Sequence, residues 1–338
     1  MIIAVDAAGG DYAPHEIVKG AIKAAQEYEV EIALVGRKEV LHVLAGRSLR
    51  KTGITIVDAP QVIDCNESPL KAIRDKPDSS IVVGINLIKS GDASAFVSAG
   101  STGAVFCATL LYLGKLNGVS RPAIGCFLDT ITSFPAILVD AGANADCRPE
   151  HLVEFARLGS LYSKYLFNIE SPRVGLLNNG TEGVKGNRLA QEAYQLLKEA
   201  AGINFVGNIE GHDVAKRTTD VVVTDGFTGN IVIKTIEGLS DNFLSSVRQI
   251  GHVFSSGYRL RGHDLLRDIG LGSLMKKMDY TEYGGACLLG VNGNIIIAHG
   301  RSQARAMKNA IGLAKEMVQR SIIEIVKEGK YEQASSSN

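Results

Sequence analysis

Residues 95–104 read AFVSAGSTGA, an apolar run that breaks into a turn of glycine and hydroxyl residues. The same pattern occurs at four other places in the chain. Buried parallel strands are continuous runs of Val, Ile and Leu, and such sheets bind ligands beyond the carboxyl ends of their strands. The turns therefore predict a parallel sheet with a binding site at its edge. The other four stretches are IIAVDAAGGD at 2–11, ILVDAGANAD at 137–146, VGLLNNGTEGVKGN at 174–187 and DVVVTDGFTGN at 220–230.

Segments of helical period separate these runs. Apolar residues share one stripe within 14–29, and a second stripe within 187–202 stops at Gly202. Alternating strands and helices predict a three-layer α/β/α fold, with helices on both faces of a mostly parallel sheet. We expect a single domain over residues 1–330 and a disordered tail at 331–338. Further strand candidates begin at Ile32, Ile54, Ile203 and Ile295.

Composition excludes several classes of protein. The 338 residues carry 36 basic and 36 acidic side chains, so no overall charge favours nucleic acid as a partner. The five cysteines are scattered and form no C-x-x-C pair, which argues against a disulfide framework and against a metal site. The chain begins with a strand-like run rather than a leader, and no stretch of about 18 apolar residues occurs. We therefore expect a cytoplasmic protein.

The turn at 98–104 has the residues of an anion site. Gly100 and Gly103 flank Ser101 and Thr102, and the apolar spacing that follows is helical. Free backbone N–H groups and two hydroxyls would then lie at a helix N-terminus, where phosphate binds well. An ordinary Ser/Thr helix cap is the alternative for this turn.

Two further turns supply charged and amide side chains. A lysine such as Lys185 is either a phosphate ligand or a solvated surface charge. Asp225 follows a strand and is a general base, an orienter of loop N–H groups, or a turn former. The first turn contains Thr181, Glu182, Lys185, Gly186 and Asn187, and the second contains Asp225, Thr228, Gly229 and Asn230.

Established nucleotide and hydrolase motifs are missing from the sequence. DAAGGD is not G-x-G-x-x-G, and no P-loop occurs because Gly186 and Asn187 follow Lys185. Neither H-E-x-x-H nor G-x-S-x-G is present. The remaining interpretation is a site that holds phosphate, or a phosphorylated metabolite, without a nucleotide cofactor.

Several blocks resemble the bacterial phosphate acyltransferases that make acyl phosphate from acyl-acyl carrier protein. The resemblance runs in order from residue 2 to about residue 326. The blocks are DAAGGDYAP at 6–14, PLKAIRDKPDSS at 69–80, SAGSTGA at 98–104, DAGANADCRPEHL at 140–152, SPRVGLLNNGTEGVKGN at 171–187, NFVGNIEG at 204–211, VVVTDGFTGN at 221–230 and YGGACLLG at 283–290.

This resemblance implies transfer of a long-chain acyl group from acyl carrier protein to inorganic phosphate, with no cofactor. The acyl phosphate would feed a membrane glycerol-3-phosphate acyltransferase in phospholipid synthesis. A fold similar to phosphotransacetylases and isocitrate dehydrogenases, a homodimer, and weak peripheral contact with the inner face of the cell membrane are also implied.

We assign the candidate residues to three roles under this hypothesis. Inorganic phosphate is itself a nucleophile, so the enzyme must orient it and stabilise the developing oxyanion. The expected catalytic residues are Lys185, Asp225, Asn230 and His299. The expected phosphate ligands are Gly100, Ser101, Thr102, Gly103, Thr181, Gly186, Asn187, Thr228 and Gly229. Asp6, Asp140, Asn144 and Glu182 are expected to order loops.

The chain departs from the family pattern at four positions. Ser101 replaces the usual Asn, and Arg301 and Gln303 stand where Ser and Asp are usual. The second change removes a carboxylate near the candidate site, so no acidic base carries over to that loop. His212 also stands where Arg is usual.

Residues 241–280 are predicted to form a protruding amphipathic helical segment. Six basic side chains against four acidic ones give it a small positive charge. Such helices could join a dimer partner, touch lipid headgroups or dock the acidic carrier protein, or simply pack on the body of the protein.

Two other functions remain open at this stage. A nicotinamide-dependent dehydrogenase shares the architecture, and Gly36 and Arg37 would suit a 2′-phosphate, although the glycine fingerprint is missing. A non-catalytic scaffold that binds carrier protein at the membrane is the second alternative.

Overall fold

The computed structural model describes residues 1–50, 52–128, 135–257 and 284–327, and contains one sheet of eleven strands. The strands are β1 (Ile2–Asp6), β2 (Glu31–Gly36), β3 (Ile54–Asp58), β4 (Ala95–Ser98), β5 (Ala123–Leu128), β6 (Ala136–Val139), β7 (Arg173–Asn178), β8 (Asn204–Glu210), β9 (Val221–Val223), β10 (Ala286–Leu289) and β11 (Asn294–Ile297).

Ten α-helices within these ranges connect and cover the strands. They are α1 (His15–Tyr28), α2 (Lys38–Ala45), α3 (Pro69–Asp75), α4 (Ser80–Ser90), α5 (Thr102–Tyr112), α6 (Pro149–Phe167), α7 (Arg188–Glu199), α8 (Gly226–Gly257), α9 (Ala304–Gln319) and α10 (Ile322–Ile325). Two short 3₁₀ helices, Gly46–Arg50 and Gly211–Lys216, add to them. Within the described ranges, no helix combines the length and apolar character needed to cross a bilayer.

The strand order is β3-β2-β1-β4-β11-β10-β5-β6-β9-β7-β8. Most neighbours are parallel, but β10 is antiparallel to both β11 and β5, and β5 is antiparallel to β6. Three reversals in a row turn the second group of strands around. Strands β6 to β9 therefore run opposite to β1 to β4, and their carboxyl ends lie at the opposite edge of the sheet.

Helices cover both faces of the sheet. The back face carries α1, α6, α7 and α9, whose apolar residues pack on side chains such as Val5 and Val139. The front face carries α3, α4 and α5 over one half, and α8 over the other half. The mostly parallel three-layer α/β/α fold expected from the sequence is confirmed.

The helices at 14–29 and 187–202 were also predicted correctly. Ile17, Ala21 and Ala24 of α1 are buried as their stripe requires. Asn187 caps α7 by accepting a hydrogen bond from the Ala190 amide at 2.9 Å.

The structure corrects the sequence interpretation at two places, and two predicted segments lie outside the described residues. The sequence interpretation missed β5 and β10, which are the strands that reverse the sheet. The segment at 241–280 does not begin a new helix, because α8 runs without a break from Gly226 to Gly257. Residues 258–280 and the tail at 331–338 lie outside the described residues.

Candidate functional site

The loops after β1 and β4 pack tightly together at one edge of the sheet. The buried Asp6 carboxylate accepts hydrogen bonds from the Gly9 amide at 3.1 Å and the Ser98 hydroxyl at 2.7 Å. A side chain at Gly9 would lie 2.7 Å from the Gly100 Cα. Burial raises the pKa of Asp6, and the hydrogen bonds from Ser98 and its other donors partly offset that effect. Asp6 thereby ties the loop after β1 to the end of β4.

Ser101 caps α5, as the alternative interpretation of this turn, an ordinary Ser/Thr helix cap, predicts. Its hydroxyl accepts a hydrogen bond from the Ala104 amide at 3.4 Å. The amides of Thr102 and Gly103 belong to the first turn and have no partner within the helix. The same helix terminus therefore has both a cap and amides without a partner in the helix, and its anion-binding role remains a prediction.

Asp140 orders the corresponding loop at the opposite edge. Its fully buried carboxylate accepts hydrogen bonds from backbone amides on both sides of the loop, including Ile124 at 2.9 Å and Asn144 at 2.7 Å. The Asn144 side chain donates to the same carboxylate and to the Pro122 carbonyl, each at 2.9 Å. Both residues therefore make the contacts expected of loop-ordering residues.

The first turn of α8 packs directly on this Asp140 loop. The Gly226 amide donates to the Asn144 carbonyl at 2.8 Å. A Cβ at Gly229 would lie 1.9 Å from the Asp140 carbonyl oxygen, so only glycine fits at this position. Asn230 lies beside Gly142 in the same contact.

Gly229→Ala is expected to lower the free energy of unfolding by about 3 kcal/mol, because the new methyl group must push the Asp140 loop aside. Thermal or urea denaturation measures the change. Gly238→Ala on the same helix is the control, since nothing lies within 4 Å of its added Cβ. Better helix propensity should make that variant more stable by up to about 1 kcal/mol. Equal stability of the two variants would contradict the packing described for α8.

The structure separates the expected phosphate ligands into two groups. Gly100 to Gly103 follow β4, whereas Gly186, Asn187, Thr228 and Gly229 follow β7 and β9 at the opposite edge. Five inter-strand spacings, or about 24 Å across the sheet, separate β4 from β9. The carboxyl ends of these two strands lie at opposite edges, whereas we expected the ligands of both groups to form one cradle. Their phosphate-binding roles remain predictions.

Among the described residues, the two groups of front-face helices leave a gap over the middle of the sheet, which we call the front cleft. Cys126 of β5 pairs with Ala286 of β10 in the middle of the sheet, yet both are only partly buried. Ile124 belongs to the apolar cluster of α3, α4 and α5, whereas Leu128 belongs to that of α8. Cys126 therefore lies between the two groups of helices, on the floor of the cleft. Burial and, secondarily, the Glu237 carboxylate raise its pKa to about 12, so it is a neutral thiol rather than a nucleophile.

One wall of the cleft is a polar stripe on α8. The stripe consists of Asn230, Lys234, Glu237 and Asp241, whose spacing of 4, 3 and 4 residues places them on one side of the helix. Its middle reaches the loop after β11, where His299 Nε2 lies 3.4 Å from both Lys234 Nζ and Glu237 Oε2. Arg301 pairs with Asp241 at 2.7 Å.

A backbone hydrogen bond sets the tautomer of His299. Its Nδ1 accepts a hydrogen bond from the Arg301 amide at 3.1 Å, so the neutral ring carries its proton on Nε2, facing Glu237. The Glu237 carboxylate also accepts from Lys234 at 2.7 Å. Burial alone would raise the pKa of Glu237, but the hydrogen bonds from His299 and Lys234 outweigh it and lower the pKa. Glu237 is therefore an anion that accepts hydrogen bonds from the His299 ring and the Lys234 ammonium in the cleft.

Sequence reasoning missed Lys234 and Glu237. They lie in IVIKTIEG, residues 231–238, which was noted only as the run after a turn. The available signal was the polar stripe itself, since apolar residues fill the core-facing side of the same helix at Val232, Ile233 and Ile236. Asn230 and His299 were expected, and the structure places both along this cleft.

The remaining expected residues line or surround a cavity at the carboxyl ends of β7 and β9. This β7–β9 cavity has a volume of about 370 Å³. Asp225 lines it and caps α8, because its two carboxylate oxygens accept from the Thr228 amide and the Thr228 hydroxyl, each at 2.8 Å. The lining residues are Leu152, Leu176, Leu177, Asn178, Asn179, Gly186, Asn187, Leu189, Ala190, Thr224, Asp225 and Thr228.

Lys185, Thr181 and Glu182 are exposed beside this cavity rather than inside it. Glu182 orders its loop through its backbone, since its carbonyl accepts from the Lys185 amide at 3.1 Å and from the Asn208 side chain at 2.8 Å. The catalytic and phosphate-binding roles of these residues remain predictions.

One group of described residues could hold a metal ion. Ligand atoms of Glu210, His212 and Asp213 lie within 4.8 Å of one another. Lys216 already pairs with Asp213 at 3.4 Å, and His212 is exposed. We assign no metal to this group.

Comparisons with known proteins show the family of this chain. The family profile described as "Fatty acid synthesis protein" matches residues 1–325. The phosphate acyltransferase of Dehalococcoides mccartyi is 57% identical over 328 residues, which cover 97% of this chain and 94% of the relative. The phosphate acyltransferase of Pelotomaculum thermopropionicum is 48% identical over 327 residues, with coverage of 97% and 94%.

Solved structures share the fold at low sequence identity. A phosphotransacetylase from Streptococcus pyogenes has a TM-score of 0.56 and 18% identity, and the match covers 96% of this chain and 94% of that one. A branched-chain phosphotransacylase from Enterococcus faecalis has a TM-score of 0.56 and 14% identity, with coverage of 94% and 99%. The sequence matches over nearly the whole chain are decisive: the chain belongs to the phosphate acyltransferases of the fatty acid synthesis protein family and is an acyltransferase.

Proposed function

We propose that the protein transfers a long-chain fatty acyl group from the thioester of acyl carrier protein to inorganic phosphate. Acyl transfer to phosphate follows from the family. The carrier-protein donor, and the use of the acyl phosphate by a membrane glycerol-3-phosphate acyltransferase in phospholipid synthesis, are the finer parts of the proposal.

One observation carries the assignment of the reaction to the front cleft. Lys234, Glu237 and His299 meet in the cleft at the strand end next to the one from which α5 begins. His299 continues β11 beyond Ile297, whose side chain belongs to the front cluster, so alternation directs it to the same side as α5. The N-terminal amides of α5 and the Lys234 ammonium then provide opposing positive groups for phosphate.

The reaction needs no covalent enzyme intermediate. An oxygen of HPO₄²⁻ attacks the thioester carbonyl and forms a tetrahedral oxyanion, and the C–S bond then breaks to give acyl phosphate and a thiolate. The proton lost by the phosphate oxygen neutralises the thiolate as a thiol. The side-chain amide of Asn230 is a hydrogen-bond donor for the oxyanion, while His299 keeps its Nε2–H on Glu237 and so helps to hold Lys234 and Glu237 in place. Asn230 and Glu237 are separated by about 10 Å along α8, a span that one thioester and one phosphate fill together.

The proposal also covers the assembly of the protein and its location in the cell. Phe227, Ile231 and Leu239 are 63%, 51% and 62% exposed on α8, which favours a covered interface such as that of a homodimer. A cytoplasmic protein with weak contact at the inner face of the membrane would deliver its product to a membrane acyltransferase.

The test is incubation of the purified protein with palmitoyl-acyl carrier protein, with and without phosphate. Free thiol is expected only when phosphate is present, together with an equal amount of acyl phosphate trapped as the hydroxamate by hydroxylamine. Thiol release without phosphate would contradict the proposed nucleophile. Carrier binding without turnover would favour the scaffold, and oxidation of NADPH would favour a dehydrogenase.

A further inference from the structure

The last residue of the polar stripe on α8 forms an ion pair with the loop after β11. Arg301 Nη2 lies 2.7 Å from Asp241 Oδ2. One helical turn before Asp241, the Glu237 carboxylate lies 3.4 Å from His299 Nε2. Helix positions four residues apart share one side of the helix. The loop therefore contacts α8 at two successive points, through partners that are two residues apart in the loop.

The backbone of this loop is anchored to the body of the protein. The Gly300 carbonyl accepts a hydrogen bond at 2.8 Å from the amide of Asp11, which belongs to the loop after β1. The Arg301 amide donates to His299 Nδ1 at 3.1 Å, which links the two residues within the loop. Because the loop is held in this way, the bond between Arg301 and Asp241 restrains the helix rather than the loop.

The apolar contacts of α8 with the sheet lie before this end of the stripe. The residues of α8 that pack against the front-face cluster are Val232, Ile233 and Ile236. Leu239, which follows them, is 62% exposed. Polar contacts therefore contribute to the position of α8 from Glu237 to Asp241.

The ion pair belongs to a group of charges rather than standing alone. The side chains of Arg301 and Asp241 are 50% and 40% exposed, and an isolated pair this exposed contributes little unless it is part of a network. Here it continues a group in which Lys234 Nζ lies 2.7 Å from Glu237 Oε2 and 3.4 Å from His299 Nε2. A shift of α8 away from the loop would separate these contacts and move the Lys234 ammonium. Misplacing a reacting group by about 1 Å can cost about 100-fold in rate.

We propose that Arg301 is a positioning residue for acyl transfer. Its ion pair with Asp241 holds α8 against the loop after β11, and the Lys234 ammonium thereby stays where it binds phosphate. Arg301 needs no contact with a substrate for this role. The inference rests on the proposed function, which pairs Lys234 with phosphate. The role is particular to this chain, because Ser is usual at position 301 in the family pattern.

Arg301→Gln removes the ion pair and keeps the backbone amide that sets the tautomer of His299. We expect the KM for phosphate to rise about tenfold, with the KM for palmitoyl-acyl carrier protein and the thermal midpoint unchanged. Phosphate-dependent thiol release measures the kinetics. Arg188→Gln is the matched control, because Arg188 is 91% exposed and pairs with Glu192 at 2.6 Å on α7, at the back face. Its phosphate KM should equal that of the wild type.

Charge reversal separates positioning from direct binding of phosphate. Arg301→Asp and Asp241→Arg each bring like charges together and should raise the phosphate KM at least as much as Arg301→Gln. The double variant Arg301→Asp/Asp241→Arg restores an opposite pair and is expected to recover a phosphate KM within about threefold of the wild type. A carboxylate at position 301 cannot bind phosphate, so this recovery requires the pairing itself. A double variant no better than the single ones would overturn the inference.

Combination with Lys234→Met separates this inference from the proposed function. If Arg301 acts through Lys234, adding Arg301→Gln to Lys234→Met should cost less than about twofold further. Losses that multiply, or a normal Arg301→Gln beside an impaired Lys234→Met, would overturn the positioning role alone. Normal turnover by Lys234→Met would overturn the phosphate site and this inference together. Calorimetric titration with inorganic phosphate gives the same comparison of variants without turnover.

Discussion

Asp140→Asn is expected to lower the free energy of unfolding by about 3 to 5 kcal/mol, because one carboxylate holds three segments together. Asparagine keeps a single acceptor oxygen, and its NH₂ group would face the Asn144 amide and side-chain NH₂, which both donate to Asp140 Oδ2 in the native loop. The result is two lost hydrogen bonds and a contact between donors in a site without solvent. Chemical denaturation followed by circular dichroism measures the change.

The control for this variant is Asp146→Asn in the same loop. Asp146 is exposed, so the substitution is expected to change stability by less than about 0.5 kcal/mol. If Asp140→Asn were as stable as Asp146→Asn, the hydrogen bonds around Asp140 would not organise the loop. The first turn of α8 should loosen with the loop, since the Gly226 amide donates to the Asn144 carbonyl.

Lys234→Met is expected to lower kcat/KM for phosphate about 100-fold while leaving the fold intact. Methionine retains the length and apolar stem of lysine but removes the positive charge that lies beside His299 and Glu237. The Lys234 side chain is 58% exposed, so its loss should cost little stability. Phosphate-dependent thiol release measures activity, and the thermal midpoint checks the fold.

Two further variants separate charge from position. Lys234→Arg keeps the charge and should recover a substantial part of the activity. Lys198→Met removes an exposed charge near the end of α7, outside the cleft, and should leave kcat/KM unchanged. Normal turnover by Lys234→Met would move the phosphate site away from the polar stripe of α8.

The sequence indicated most of the elements because their signals are local. Strands such as Ala95–Ser98 are short apolar runs that end in glycine and hydroxyl residues, and α1 and α7 are amphipathic with recognisable ends. The family followed from ordered blocks of residues and was confirmed by relatives over 97% of the chain. Asn230 and His299 were predicted as catalytic residues from their turns, and those roles remain predictions.

The strands β5 and β10 were not predicted because their sequence patterns are weak. AIGCFL at 123–128 and ACLL at 286–289 contain only one β-branched residue between them, Ile124, so their composition does not favour strands. Their directions depend on pairing partners far away in the chain, and a local pattern contains no information about direction. The sequence therefore could not show that the expected phosphate ligands follow strands of opposite direction.

Local sequence patterns indicate an α/β protein, its family and the polar residue types that follow its strands. Which strand ends meet depends on the tertiary structure, because three antiparallel pairings send the two halves of the sheet in opposite directions. The polar stripe on α8 acquires a partner in His299 only when that helix crosses the front face. Neighbouring residues in the sequence determine the chemical groups of each turn. The distance between two strand ends depends instead on how many hydrogen-bonded strands lie between them.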